Sequence, residues 1–252
     1  MSIKGLTQSA LTIIGIVLII GVINLFQGEK NPSEVSTFQP IPTTVQSQTV
    51  SNSTVDITVD VLQALSNYYV ATQNEITEDS EIVDIMTAVL NANKYLESGN
   101  AYMKKYLNDT NEVIQVVAKG MTTGAEKVIQ ANNEFIDFMR SGEPLDSDYA
   151  AAKYSSDQKE GYKLISTSAP WITSLIFEPA KSENPSGRIP YTISDADRKK
   201  LLKEIERLFG DDLKKYRADI KAKTGKYNAI LFSVDAIYNR IAPETYEEAR
   251  DK

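Results

Sequence analysis

The sequence predicts an all-α protein: a single N-terminal transmembrane helix, a flexible linker, then an elongated helical bundle with coiled-coil-like heptad packing. Three observations carry this. Ala10–Phe26 is a run of 17 residues with no charge. A stretch rich in Ser, Thr, Pro and Gln follows it over residues 28–53. From Ile82 to Phe138, apolar residues then recur at two heptad positions.

The apolar run is taken first. A bilayer core about 30 Å thick needs about 20 helical residues, with a lower limit near 17. Leu6–Phe26 meets this when Thr7, Gln8 and Ser9 sit among the headgroups. Leu11, Ile13, Ile14, Ile16, Val17, Leu18, Ile19, Ile20, Val22, Ile23, Leu25 and Phe26 are the residues expected to face lipid, within an anchor spanning 1–27. The alternative is a cleaved signal peptide, but Asn24, Leu25, Phe26, Gln27 and Gly28 contain no A-x-A pattern. Lys4 and the amino group lie on one side, Lys30 on the other. Positive charge stays cytoplasmic, so the expected topology is N-terminus cytoplasmic and C-terminal domain extracytoplasmic.

Lys4-Gly5-Leu6-Thr7 ahead of the apolar stretch resembles the start of a type IV pilin or archaellin precursor. The resemblance implies processing after Gly5. That family places Glu five residues into the mature chain, where this sequence has Ala10. A pilin-like or sensor-type membrane protein is thus one further alternative.

Composition narrows the chemistry. The chain has no cysteine, so stability must come from core burial rather than disulfides. It has no histidine either, which excludes Ser-His-Asp and Cys-His catalysis and most zinc or copper sites. No cofactor and no small-molecule ligand is expected. The net charge is −7, divided as −9 over residues 54–194 and +2 over 195–252. An acidic surface of this kind disfavours nucleic acid.

The remaining elements follow in order. Residues 54–178 read as a long-helix bundle. Its first helix runs from Thr54 to Ile76, because the stripe Val55, Val59, Leu62, Leu65, Tyr69 outlasts the alternation Val55, Ile57, Val59, Val61. Asp56 and Asp60 share one face of it. In the heptad stretch one position holds Met86, Asn93, Asn100, Leu107, Ile114, Met121, Val128 and Phe135. The other holds Ile82, Val89, Leu96, Met103, Thr110, Val117, Gly124, Ala131 and Phe138. Of these 17 sites, 13 are Ala, Val, Ile, Leu, Met or Phe, which makes a continuous seam. Ser98-Gly99-Asn100 and Gly120 with Gly124 resemble helix ends, with Thr123 and Glu126 as a capping box. The phase survives both, so one bent rod about 85 Å long is preferred. A helix from Asp146 or Ser147 to Ser168 comes next, then the short apolar segment Ala169–Phe177 with Pro170 in its first turn. Residues 179–193 read as a loop, from Pro179, Asn184-Pro185, Ser186-Gly187 and Pro190.

Residues 194–242 hold C-terminal helices packed on the bundle. Ser194 and Asp197 cap a helix that ends at Phe209 with Gly210 as its C-cap. Asp211 or Asp212 starts another, to Lys223, and Tyr227–Ile241 forms the last. Residues 243–252 read as a frayed, charged tail opened by Pro243.

Candidate sites are few. Trp171, Arg188 and Tyr191 are residue types that anchor interfaces, and they mark the expected partner surface. Tyr95, Tyr102 and Tyr106 lie along one flank of the seam. Asp79-Ser80-Glu81 with Asp84, and Asp146-Ser147-Asp148, lack the glycine-containing loop of a calcium site and suit helix starts better. The basic run from Arg198 to Lys226 is interspersed with acids, as on a solvated helix pair. The reading leans away from an enzyme. It favours an extracytoplasmic protein-interaction or structural module of the cell envelope, bound to the lipid bilayer through residues 6–26 and to a protein partner or a second copy. A carboxylate-dependent hydrolase or lyase acting on envelope polymers is the alternative.

Overall fold

Helix formation here follows from apolar stripes closed by side-chain caps. The computed structural model describes residues 53–73, 80–141, 147–177, 188–222, 228–245 and 248. The expected anchor and linker and most of the expected 179–193 loop lie outside these residues. Among those described there are six α-helices, one 3₁₀ helix, two isolated bridges and no strand. None of the helices is long and apolar enough to cross a membrane.

α1 (Ser53–Ala71) is helical, as its longer stripe requires, and ends five residues before Ile76. Thr72 closes it, its amide and its hydroxyl both donating to the Tyr69 carbonyl. Val55, Ile57, Thr58, Val61, Leu62, Leu65 and Tyr68 are all buried, a broad face that packs against several helices.

The single rod is not found. α2 (Ile82–Lys104) and α3 (Glu112–Ser141) are separate helices joined by the seven residues Lys105–Asn111. Asn111 is the N-cap of α3; its Oδ1 accepts from the amides of Val113 (2.9 Å) and Ile114 (3.4 Å). The connection is one heptad long, so the sequence phase continues while the chain reverses direction. Twelve of the 17 seam residues are buried, on the facing sides of two antiparallel helices.

Gly99, Gly120 and Gly124 lie inside helices, and so do Thr123 and Glu126; none of them ends an element. The glycines instead permit close approach. α4 (Ser147–Ser168) crosses α3 so tightly that a Cβ on Gly124 would stand 2.5 Å from the Gly161 carbonyl oxygen, and one on Gly161 2.6 Å from that of Gly124. The 3₁₀ helix Ala169–Leu175 follows directly, with Pro170 in its first turn.

α5 (Asp195–Ala222) is one continuous helix, correcting the expected stop at Phe209. Gly210 sits within it and has no left-handed backbone angle. Leu201, Ile205, Phe209, Leu213 and Tyr216 form one uninterrupted buried stripe, and that tertiary burial outweighs the local preference of glycine for a helix end. The Ser194–Asp197 cap is present, the Asp197 amide donating to Ser194 Oγ at 3.1 Å. α6 (Ala229–Ile241) is capped by Asn228, whose side chain accepts from the amides of Ile230 and Leu231.

α1 to α4 form an antiparallel series, α5 lies along α1, and α6 fills the space between α4, α5 and α1. The main core draws on all six helices and the 3₁₀ helix. A second, smaller cluster of Ile85, Val89, Phe135 and Ile136 sits at one end of α2 and α3.

Candidate functional site

The region around Trp171, Arg188 and Tyr191 is built by three segments: the 3₁₀ helix, the stretch 188–194, and the C-terminal end of α6. The last residues of any helix leave carbonyl oxygens without intrahelical donors. Here two side chains supply them, Tyr191 from the stretch 188–194 and Arg198 from the first turn of α5. The Tyr191 hydroxyl faces the carbonyls of Arg240, Ile241 and Pro243 at 3.3, 3.1 and 2.5 Å and donates its one proton among them. Arg198 Nη1 donates to the carbonyls of Ile241 and Ala242, both at 3.1 Å, and Nη2 pairs with Glu244 at 3.1 Å. The positive guanidinium also suits the negative end of the helix dipole.

Arg198 is only 3% exposed, and its guanidinium lies 5.1 Å from the centre of the Tyr191 ring. Its Nε is buried without a hydrogen bond. Burial raises the Tyr191 phenol above its ordinary value, while Arg198 opposes that rise. Arg240 reaches the other way, Nη1 donating to the Pro170 carbonyl (3.2 Å) and to Thr173 Oγ1 (2.9 Å), which ties the 3₁₀ helix to α6. Burial lowers the Arg240 guanidinium.

Tyr191 is therefore a half-buried fastener, its ring tilted against that of Phe177 with centroids 5.2 Å apart. Trp171 is half-buried and packs on the main core. Arg188 is exposed and forms an antiparallel bridge with Thr245. Of the expected tail, Pro243 is buried and Glu244 and Thr245 are bonded to the body, while residues 246–247 and 249–252 lie outside the described residues.

The other sequence candidates scatter. Tyr106 donates to Asp60 at 2.5 Å and Lys105 pairs with the same carboxylate at 2.8 Å, so Asp60 fastens the α2–α3 connection to α1. Tyr102 packs against the core and Tyr95 is 44% exposed. Within the basic run, Arg207 pairs with Glu204 and Arg217 with Asp235, each at 2.6 Å. Among the described residues no group of three or more His, Cys, Asp or Glu could hold a metal ion. Asp79 and the side chains of Asp146, Ser147 and Asp148 lie outside them.

Two features were not anticipated. One is Arg198, hidden in the sequence among exposed lysines. The other is a buried polar layer. Asn132 Nδ2 donates to Asn93 Oδ1 (2.7 Å), and Asn93 Nδ2 donates to Asn133 Oδ1 (2.9 Å). Gln158 Nε2 donates to Asn132 Oδ1 (2.7 Å) and to the Tyr154 hydroxyl (2.6 Å), which itself donates to Asn132 Oδ1 (3.1 Å). Asn at a seam position is the signal that could have found it.

No family model, no curated protein and no solved structure matches this chain.

Proposed function

We propose that the chain is a single-pass, membrane-tethered helical module that works by contact with another macromolecule outside the cytoplasm. The observation that carries this is the uncharged run Ala10–Phe26, followed by a Pro- and Ser-rich spacer and then a folded body. Coiled-coil-like packing of the body is part of the same proposal.

One finding narrows the contact and another favours contact over chemistry. The seam that could have paired with a second copy is filled by the chain's own helices. Several carboxylates are committed to ion pairs: Asp60 with Lys105, Glu134 with Lys153, Glu204 with Arg207 and Asp235 with Arg217. Glu134 and Glu204 are both shifted below the ordinary carboxylate value by hydrogen bonds from Lys153 and Arg207. A general acid working near neutral pH requires the opposite shift. The partner surface we favour is the corner carrying Trp171, Arg188 and Tyr191.

The test compares the full chain with one lacking residues 1–53, expressed in the same cells. The full chain should stay in the membrane pellet after alkaline carbonate washing, and the truncated chain should not. In-cell crosslinking should then recover a defined partner with the full chain, and charge reversal at Arg188 should weaken that recovery. Recovery of the full chain in the detergent-free soluble fraction would overturn the tether. Turnover of an envelope glycan by the purified chain would overturn the contact role.

A further inference from the structure

The two apolar clusters of the bundle are separated by the polar layer Asn93–Asn132–Tyr154–Gln158. On one side lies the main core. On the other lies a small cluster of Ile85, Val89, Phe135 and Ile136, flanked by Met86, Met139 and Tyr154 and drawn, among the described residues, from α2, α3 and α4. Among the described residues three helices, rather than the whole bundle, hold this end together.

The register of α1 explains why. Its Tyr68 hydroxyl donates to Asn100 Oδ1 at 2.8 Å, and its Asp60 meets Tyr106. The two helices run antiparallel, so α1 ends at Ala71 close to the level of Leu96. The first half of α2 continues beyond it. There Val83 and Leu90, seven residues apart on one face, are 61% and 40% exposed.

A polar layer couples its two sides weakly. Its amides and hydroxyl exchange their mutual hydrogen bonds for water at modest net cost when the layer opens, whereas an apolar layer would lose its burial outright. We propose that the outer half of α2, the end of α3 and the start of α4 open together as a unit, separately from the main core, with the Asn93–Asn132–Gln158 layer as the parting plane. Opening presents Ile85, Val89 and Phe135 next to the already exposed Val83 and Leu90, which makes one apolar surface out of two halves. This holds whether or not the chain is tethered to a membrane.

Native-state hydrogen exchange of the full chain in mild detergent, read by mass spectrometry, tests this. Peptides covering residues 82–92 and 133–141 should exchange about a hundredfold faster than those covering 113–128 and 229–241. The two fast segments should share one denaturant dependence. Phe135→Ala should accelerate these two segments about tenfold or more and leave 229–241 unchanged. Joint replacement Asn93→Leu with Asn132→Leu should slow the outer segments toward the rate of the main core. Exchange of 82–92 at the same rate as 229–241 in the unaltered chain would overturn the proposal, even if every variant failed to fold. Equal acceleration of all segments by Phe135→Ala would overturn it as well.

Discussion

Substituting glycine by alanine should move stability in opposite directions at two places in this bundle. In a regular helix interior the change stabilises by about 0.8–1 kcal/mol, because alanine loses less backbone freedom on folding. Gly210 is such a position: the helix runs through it, and the nearest outside atom to a new Cβ is Glu206 Cγ at 3.4 Å, on a side chain that can move. Gly210→Ala should therefore stabilise by about 0.5–1 kcal/mol. At Gly161 the same Cβ would sit 2.6 Å from the Gly124 carbonyl oxygen and 2.5 Å from Val128 Cγ2. Backbone oxygen cannot rotate aside, so α3 and α4 must part by somewhat under ~1 Å, loosening dispersion contacts along their whole crossing. Overpacking of this kind costs about 1–3 kcal/mol, which exceeds the propensity gain; Gly161→Ala should be net destabilising by about 1–2 kcal/mol. Gly124→Ala should behave alike, and the double variant should cost less than the two single losses added, because the helices part only once. Urea denaturation followed by helical circular dichroism measures all four. A destabilising Gly210→Ala would mean that α5 breaks at this residue. A stabilising Gly161→Ala would mean that α3 and α4 are further apart than described.

Other predictions bear on the fastened corner and on pH. Tyr191→Phe removes the proton shared by the carbonyls of Arg240, Ile241 and Pro243 and should cost about 1–2 kcal/mol, with faster proteolysis after Pro243 as the local readout. Arg240→Ala unties the 3₁₀ helix from α6 and should shift the emission of Trp171, the only tryptophan, to longer wavelength. Glu204 has its folded pKa depressed, foremost by the hydrogen bond from Arg207, so its contribution is present above the unfolded value and lost as pH falls through the folded one. Glu204→Gln should thus destabilise near neutrality and converge with the parent in acid. Tyr69 is pushed up to about 12, mainly by burial and then by Asp212, so its contribution is intact below the ordinary tyrosine value near 10 and disappears as pH climbs to about 12. Tyr69→Phe should flatten that alkaline decline in a pH series of thermal unfolding.

Periodicity told most about this chain where elements were long and their caps stood in register. The α4 boundary at Ser168, the Ser194 cap and the α6 stripe are all plain in the residues. The heptad phase misled because Lys105–Asn111 happens to be seven residues long. Phase reports which face is apolar and says nothing of chain direction, so a reversal of that length leaves no trace in the pattern. The Asn111 cap was the available mark of the break. The glycines misled for a different reason. Gly99, Gly120, Gly124 and Gly210 carry the residue type of a helix end, but whether glycine ends a helix or admits a neighbour depends on what packs beside it. That neighbour is remote in sequence: Tyr68 for Gly99, Ser168 for Gly120, Gly161 for Gly124. The corner shows the same limit. Trp171 and Tyr191 stand out by type, while Arg198 is one basic residue among many until α6 lays its last carbonyls over it.

Internal use of the seam constrains how any partner can be recognised. Met103, Met121 and Val128 are fully buried within one chain, so a second copy could reach them only by displacing α1 or α4. Displacing α4 would also break the Gly124–Gly161 crossing and expose the polar layer beneath Gln158. Recognition must then use surface that folding leaves over; among the described residues the large apolar side chains left exposed are Val70, Val83, Leu90, Tyr95, Val116, Ile220 and Phe232, scattered over α1, α2, α3, α5 and α6. Single exposed apolar residues carry no affinity of their own. Two of these, Val83 and Leu90, flank the end of the bundle where, among the described residues, α2, α3 and α4 hold the small cluster. A partner that bound there would gain more area from a transient opening than from the closed surface, and would shift the opening equilibrium by its affinity for the open form. The hydrogen-exchange rate of residues 82–92 is therefore also a binding readout: it should change when the right partner is added and stay fixed with any other.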